Sequence, residues 1–243
     1  MRKHLLLTIS LALIVQSNYP QTNSIQIDND IILGALGEAV PFALIKKTLP
    51  VNPIIVEAGA QFGEDTQWMS QAWPEGHIYA FEPTPASFVE LQKVASQLHN
   101  ITAVHLALSN KKGEFPFYVA GGASSLLKPQ DSFNADYFHT DIDHPIRVPV
   151  VLLDEWAHEN NVSAIDFMWL DMEGNELNAL QGGIHILKTV KLIYTEVNLQ
   201  HFWEDCVMYD ELTTWMNEHG FIEIWSDFVP HWHGNVLFIN TNI

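Results

Sequence analysis

The stretch VEAGAQFGEDT, Val56 to Thr66, decides the fold. It grows out of an apolar run at residues 54–57 and crosses a turn of small residues carrying Gly59 and Gly63. It ends in the acidic start of a helical segment, residues 64–73, stopped by Pro74. The next apolar run, in HIYAFEP, closes on a second carboxylate, Glu82. Strand, small-residue turn, helix and a strand ending in a carboxylate form the opening of a nucleoside-binding α/β fold.

Outward from that unit the pattern keeps alternating. Residues 78–81 read as the second strand. A helix over 84–98 follows, with Thr84 as N-cap and Pro85 in first position. The third strand spans 101–106, and an extra strand spans 115–119 after the turn KKG. A longer polar loop runs from Gly121 to His144. A short strand at 148–152 and a short helix at 154–161 lead to the buried fourth strand, 167–170. A helix at 176–187, a fifth strand at 192–197 and a helix at 209–219 capped by Gly220 come next. Residues 221–225 and 236–239 close the chain as a hairpin-like pair. Such alternation implies a mostly parallel sheet with helices on both faces, and the last two strands an antiparallel edge. Before the first strand, residues 31–49 carry spaced apolar positions and end in Lys46 and Lys47, which suits a helix that Pro41 kinks or divides.

Composition narrows the function. A chain of 243 residues, 47% hydrophobic, fits one core-forming domain with extensions. Its formal charge of −18 repels phosphate backbones and argues against a nucleic-acid substrate. A single cysteine, Cys206, leaves no intrachain disulfide and no cysteine-based zinc site. Arg2 and Lys3 precede an apolar run from Leu5 to Val15, which is too short to span a membrane and matches a signal-peptide core with processing after Ser17. The expected organisation is a leader at 1–17, an extension with a helix at 18–50, and an α/β domain at 51–243. No later segment reaches spanning length without charges.

Ligands of open α/β sheets lie beyond the carboxyl ends of the strands. The residues expected there are Glu57 to Ala60, Glu82, Leu108 to Asn110, Asp171 and Glu196. Gly59 lets backbone approach a ligand, and Gly63 permits the turn into the helix. Glu82 can accept from two ribose hydroxyls. The spacing Gly-x-x-x-Gly lacks the dinucleotide fingerprint, which favours S-adenosylmethionine, with no pyrophosphate to cradle, over NAD. Asp171, in WLDMEGNE, ends the fourth strand, where it can steer a hydroxyl, act as base or ligate a cation. Glu173 and Glu176 fit the first turn of the following helix. Asp171, Glu196 and Asn198 are oxygen donors of the kind Mg²⁺ or Ca²⁺ accepts, but no metal is required by this reading. His201 is the alternative base. His105 reads as structural, and His231 and His233, flanking Trp232, as decoration of an edge turn. Phe202, Trp203, Trp225 and Trp232 can wall an acceptor pocket or pack the core.

Taken together these residues resemble the FkbM-type methyltransferases, class I enzymes dependent on S-adenosylmethionine, from about Val56 to Ile239. VEAGAQFGEDT resembles the first motif and FEPTPASFVEL the second. HLALSNKKGEFPFYV with SSL (Ser124 to Leu126) is similar to the segment after the third strand. LLDEW with IDFMWLDMEGNELNALQGG resembles the fourth-strand region, and IYTEVN the fifth strand. The resemblance implies a Rossmann-like sheet and methyl transfer to a hydroxyl of a small molecule, sugar or glycan. It implies cofactor binding by Gly59, Gly63 and Glu82, with Ser109 and Asn110 near the adenine and Asp171 beside the methyl group. Many members carry Lys two residues before that Asp; here the residue is Trp169, so any part that Lys plays is lost or replaced. A cofactor-binding protein that keeps the fold without turnover is the alternative. The leader points to export and the cofactor supply to the cytosol. The acceptor and the oligomeric state have no readable code.

Overall fold

A computed structural model describes residues 40–138 and 141–243. The leader expected at 1–17, the extension up to 39 and the first half of the helix expected at 31–49 lie outside the described residues. The remainder of that helix, α1 (Val40–Thr48), buries Leu44 and Ile45 in the core.

Seven strands form the main sheet. They are β1 (Ile54–Ala58), β2 (His77–Phe81), β3 (Ile101–Val104), β7 (Phe167–Leu170), β8 (Leu192–Asn198), β9 (Phe221–Phe228) and β10 (His233–Asn240). Their order is β3-β2-β1-β7-β8-β10-β9. The first five are parallel, and β10 runs antiparallel to both β8 and β9. The sheet is therefore Rossmann-like, mostly parallel with an antiparallel edge. The central strands are apolar on both faces, as a doubly covered parallel sheet demands; all four residues of β7 are buried.

One core lies on each face. The first gathers Val56, Phe81, Met168, Leu170 and Ile193 beneath α4 (Leu153–Glu159), α5 (Glu176–Gln181) and α6 (Tyr209–Glu218). The second gathers Ile55, Ile78, Phe167, Trp169 and Leu192 beneath α1, α2 (Glu64–Ala72) and α3 (Pro85–Gln97). Trp169 sits inside an aromatic cluster there, its ring 5.9 Å from Phe42 and nearly parallel, 4.6 Å from Tyr194 and 6.3 Å from Trp68.

A small second sheet, in the order β4-β6-β5, joins β4 (Ala107–Leu108), β5 (Gly113–Phe117) and β6 (Ile146–Val151) around Ala107, Phe117, Val148 and Val150. It corrects the third strand expected over 101–106. The run ITAVHLAL is mostly apolar, interrupted by Thr102 and His105, yet the chain leaves the main sheet at Val104, turns through a Leu106 N–H to Val104 carbonyl bond, and resumes in the other sheet. The helix expected over 176–187 also differs. It stops at Gln181 and resumes as a turn of 3₁₀ helix at Ile186–Thr189. At Gly182 a side-chain carbon would stand 2.2 Å from the Ser109 carbonyl oxygen, so this contact demands glycine and the helix ends against it. The loop from Gly121 to His144 contains short helical turns at 121–123, 131–133 and 134–138.

From β1 the chain winds outward to β2 and β3, then returns to β7 on the other side of β1. The winding reverses between β1 and β7, and a crevice opens at the carboxyl ends there. Register keeps those ends level: Ala58 pairs with Phe81 on one side and Leu170 on the other. Removing the indole at the hub of the aromatic cluster, Trp169→Ala, should destabilise the protein by about 3–5 kcal/mol. Denaturant unfolding would register this as a lower midpoint with an unchanged slope.

Candidate functional site

The crevice between β1 and β7 forms a cleft. Gly59, Gln61, Glu82, Pro83, Leu106, Leu108, Phe117, Asp171 and Asn175 are among its walls. Glu82 follows β2, and two backbone amides fix its carboxylate. Gln61 N–H donates to Oε2 at 2.9 Å and Thr84 N–H to Oε1 at 2.6 Å. Burial raises this carboxyl above its usual value, while those hydrogen bonds and the nearby His105 oppose the rise. A carboxylate has about four acceptor positions. Backbone amides take two and the Thr84 side chain a third, which leaves acceptor capacity for a ligand hydroxyl.

Gly59 (φ +93°) is required by its neighbour. A side-chain carbon at this position would lie 1.8 Å from the Asp171 carbonyl oxygen. Only glycine lets the ends of β1 and β7 come this close, and Asp171 N–H donates to the Ala58 carbonyl at 3.0 Å across the same gap. Gly63 (φ +90°) opens α2 and packs against Leu91 and Val94 rather than the cleft. Ala60 is buried, its N–H donating to Phe81. Glu57 lies beneath the cleft, where its carboxyl accepts from Thr66 Oγ1, and burial pushes it up to about 8.

Ser109 and Asn110 take different places from those expected beside the adenine. Ser109 N–H donates to Val151, and Asn110 donates from its amide to Asn178 and Gln181 at 2.9 and 2.8 Å. The residues lining the cleft at that end are Leu106, Ala107 and Leu108, with Asn175 donating to the Leu108 carbonyl at 2.9 Å. The chain turns out of the main sheet before Ser109, so strand counting from the sequence overshoots by two residues.

Beyond Asp171 lies a second cavity, bounded by Ala123, Phe138, Glu173, Glu196, Asn198, Phe202, Trp232 and His233. Three carboxylates stand where the two spaces meet: oxygens of Asp171, Glu173 and Glu196 all lie within 4.8 Å of one another. Asp171 is open to the cleft but surrounded by protein on its other sides. That enclosure, together with Glu196 and Asp65, pushes its carboxyl up to about 7, and His233 works against the shift. Glu173 is raised well above the usual carboxylate range by burial and then by Glu196 and Asp171. It precedes α5, in a turn with φ +54°, and not in the first helical turn. Glu176 does open that helix. Its Oε1 accepts from Met172 and Gly174 N–H at 2.9 and 3.3 Å, which closes the loop, and burial pushes its carboxyl up to about 8. Ser125, from the SSL segment, ties this loop down by donating to the Glu173 carbonyl at 2.9 Å.

The histidine brought to this group is His233 and not His201. His201 is exposed, its ring 3.8 Å from Cys206 Sγ, and it lines neither cavity. His233 begins β10, pairs with Asn198 across the sheet, and bonds Glu196 Oε1 through Nδ1 at 2.6 Å. That bond raises its pKa. The antiparallel register places it there; a histidine beside a tryptophan in an edge turn gives no local signal. Trp169 lines neither cavity, since its indole is in the core on α1's side of the sheet.

Comparison with known proteins agrees with this geometry. The family model described as Methyltransferase FkbM domain matches residues 57–223. The 2-O-methyltransferase NoeI of Sinorhizobium fredii (strain NBRC 101917 / NGR234) is 25% identical over 201 residues, 79% of this chain and 81% of that protein. Methyltransferase 1 of Beauveria bassiana (strain ARSEF 2860) is 30% identical over 149 residues, 55% of this chain and 59% of the relative. A fibrillarin/Nop5p complex contains a chain of similar fold, with TM-score 0.50 and 13% identity over 79% of this chain and 74% of that one.

Glu57 and Glu176 hold protons in the folded protein between about 4.5 and 8, a range in which the unfolded chain has released them. Unfolding then releases protons, so stability is greatest below the unfolded value and falls as pH rises. Stability should fall between pH 5 and pH 8 by an amount on the order of a few kcal/mol, read as a falling melting temperature. Glu57→Gln should flatten the slope; a melting temperature that rises over this range would contradict the assignment.

Proposed function

The chain belongs to the FkbM methyltransferase family, and we propose that it is an S-adenosylmethionine-dependent O-methyltransferase acting on a hydroxyl of a small molecule, sugar or glycan. The observation that carries this reading is Glu82, held by two backbone amides after the end of β2 and lining the cleft with acceptor capacity to spare. A ribose diol is the ligand such a carboxylate fits. Leu106, Leu108, Phe117 and Pro83 supply an apolar slot for a flat ring, and the cleft continues past Gly59 to Asp171. The residues present therefore fit the cofactor from its nucleoside end to its reacting end. NoeI, named as a 2-O-methyltransferase, favours oxygen as the acceptor atom.

Bound S-adenosylmethionine supplies a methyl group that is already electrophilic. What remains for the protein is alignment of an acceptor and removal of one proton. Asp171 stands where the cofactor cleft meets the second cavity, and we assign it the proton of the acceptor hydroxyl. Its carboxyl, raised to about 7, is a stronger base than an ordinary aspartate once ionised. Phe202, Trp232 and Phe138 provide flat apolar walls for the acceptor, with Glu173 and Glu196 as hydrogen-bond acceptors for its hydroxyls.

Calorimetry of the purified protein with S-adenosylmethionine should show binding near the micromolar range, about −8 kcal/mol, lost in Glu82→Ala. Asp171→Asn should bind the cofactor and lose turnover by about 10²–10⁴-fold against a panel of hydroxyl acceptors. The absence of binding by folded wild type would sink the methyltransferase reading. Binding without transfer to any acceptor would instead favour a cofactor-binding protein that has kept the fold.

A further inference from the structure

The carboxylates between the two cavities are more numerous than a single proton transfer needs. Asp171 ends β7, Glu173 is presented by the turn before α5, and Glu196 comes from β8; each offers an oxygen within 4.8 Å of the others. Two oxygens on one Ca²⁺, bound at about 2.3–2.6 Å, stand at most about 5 Å apart, while on Mg²⁺ at about 2.0–2.1 Å the limit is roughly 4 Å. Three oxygens at the 4.8 Å limit leave their common centre about 2.8 Å from each, so the cluster admits a calcium-sized ion after a contraction of a few tenths of an ångström, and Mg²⁺ after a larger one.

Acidic side chains gather on many surfaces, so the surroundings matter more than the count. Glu196 is 13% exposed. His233 Nδ1 occupies its Oε1, while Oε2 is buried with no hydrogen-bond partner. The histidine thereby orients the carboxylate and leaves the other oxygen to the cluster, in the manner of an outer-shell partner at a metal site. Asn198 lines the same cavity beside Glu173 and Glu196. It is 2% exposed, and its amide Nδ2 is buried without a partner. Turning that amide about its last bond exchanges nitrogen for oxygen, so Asn198 can add a neutral oxygen donor. Unpaired buried polar groups are costly and rare; here one belongs to a carboxylate of the cluster and another to the asparagine beside it.

We propose that Asp171, Glu173 and Glu196, completed by Asn198, bind a hard divalent cation of calcium size where the cofactor cleft meets the acceptor cavity. All the donors are oxygen, which suits Ca²⁺, Mn²⁺ or Mg²⁺ and disfavours softer metals. The role of the ion, though not its binding, rests on the methyltransferase reading. An acceptor hydroxyl reaching the junction completes the coordination shell, and the cation eases loss of its proton. The ion also offsets the mutual repulsion of the three carboxylates.

The test uses the full-length protein stripped of metal, with neither S-adenosylmethionine nor acceptor present, at moderate ionic strength. Calorimetry should give saturable Ca²⁺ binding near one ion per chain, and Ca²⁺ should raise the melting temperature. Glu173→Gln and Glu196→Gln should each weaken the affinity tenfold or more, while the exposed Glu211→Gln leaves it unchanged. In the unaltered chain, terbium excited through tryptophan should luminesce, because Trp232 lines the cavity, and Ca²⁺ should quench the signal by displacement. That readout does not depend on a variant folding. Absence of saturable binding and of sensitised luminescence would overturn the proposal, as would equal weakening by Glu211→Gln, which would mean general screening of the −18 charge. Failure here leaves the cofactor reading standing, and a protein that binds Ca²⁺ but no S-adenosylmethionine would separate the two in the other direction.

Discussion

The structure turns on the approach of two strand ends. At the carboxyl edge of the sheet, β1 and β7 come so close that Gly59 has room for hydrogen alone: any side chain would strike the carbonyl of Asp171. The Asp171 N–H to Ala58 carbonyl bond closes the same gap. Because the chain reverses its winding between these strands, the pinch lies at the base of the crevice and fixes how far Asp171 stands from Glu82 on the other side. The cleft and the acidic junction inherit their spacing from that contact. A glycine in such a turn serves ligand approach and strand packing together, and here packing is the stricter demand.

Charge sets a second constraint. Glu57, Asp171, Glu173 and Glu176 are held within or beneath the ends of the parallel strands, and each carboxyl is raised mainly by removal from water. Each would be more stable in the unfolded chain at neutral pH. Their retention at the site is the usual exchange of stability for function. The neighbouring groups limit the damage. Thr66 donates to Glu57, Met172 and Gly174 amides to Glu176, and His233 bonds Glu196.

Much of this architecture could be read from local pattern. Apolar runs bounded by Pro, Gly and carboxylates marked the parallel strands to within a residue or two, since buried strands need side chains apolar on both faces. Thr84 with Pro85 announced α3, and Gly220 the end of α6, through the backbone angles those residues favour. That Glu82 and Asp171 share the cleft was legible because a strand end places its last side chains at the carboxyl edge of the sheet. The errors occurred where a continuous pattern hides a change of partner. The run after β3 is apolar whether the chain stays in one sheet or passes to another, so the cleft wall fell to Leu106–Leu108 and not to Ser109 and Asn110.

The sequence by itself determined the order of the elements, the parallel sheet with its antiparallel edge, and the carboxylates at the strand ends, because these follow from side-chain periodicity and backbone preference over a few residues. Tertiary structure alone decided which groups meet. His233 reaches Glu196 because β10 inserts between β8 and β9 in a register that sets His233 opposite Asn198. His201, only five residues from Glu196 in sequence, is left in an exposed loop. Trp169 lies in the core because β7 turns that side chain toward α1 and α2. Contacts of this kind depend on register and crossover, which join residues far apart in the chain and leave no mark on the pattern around either one.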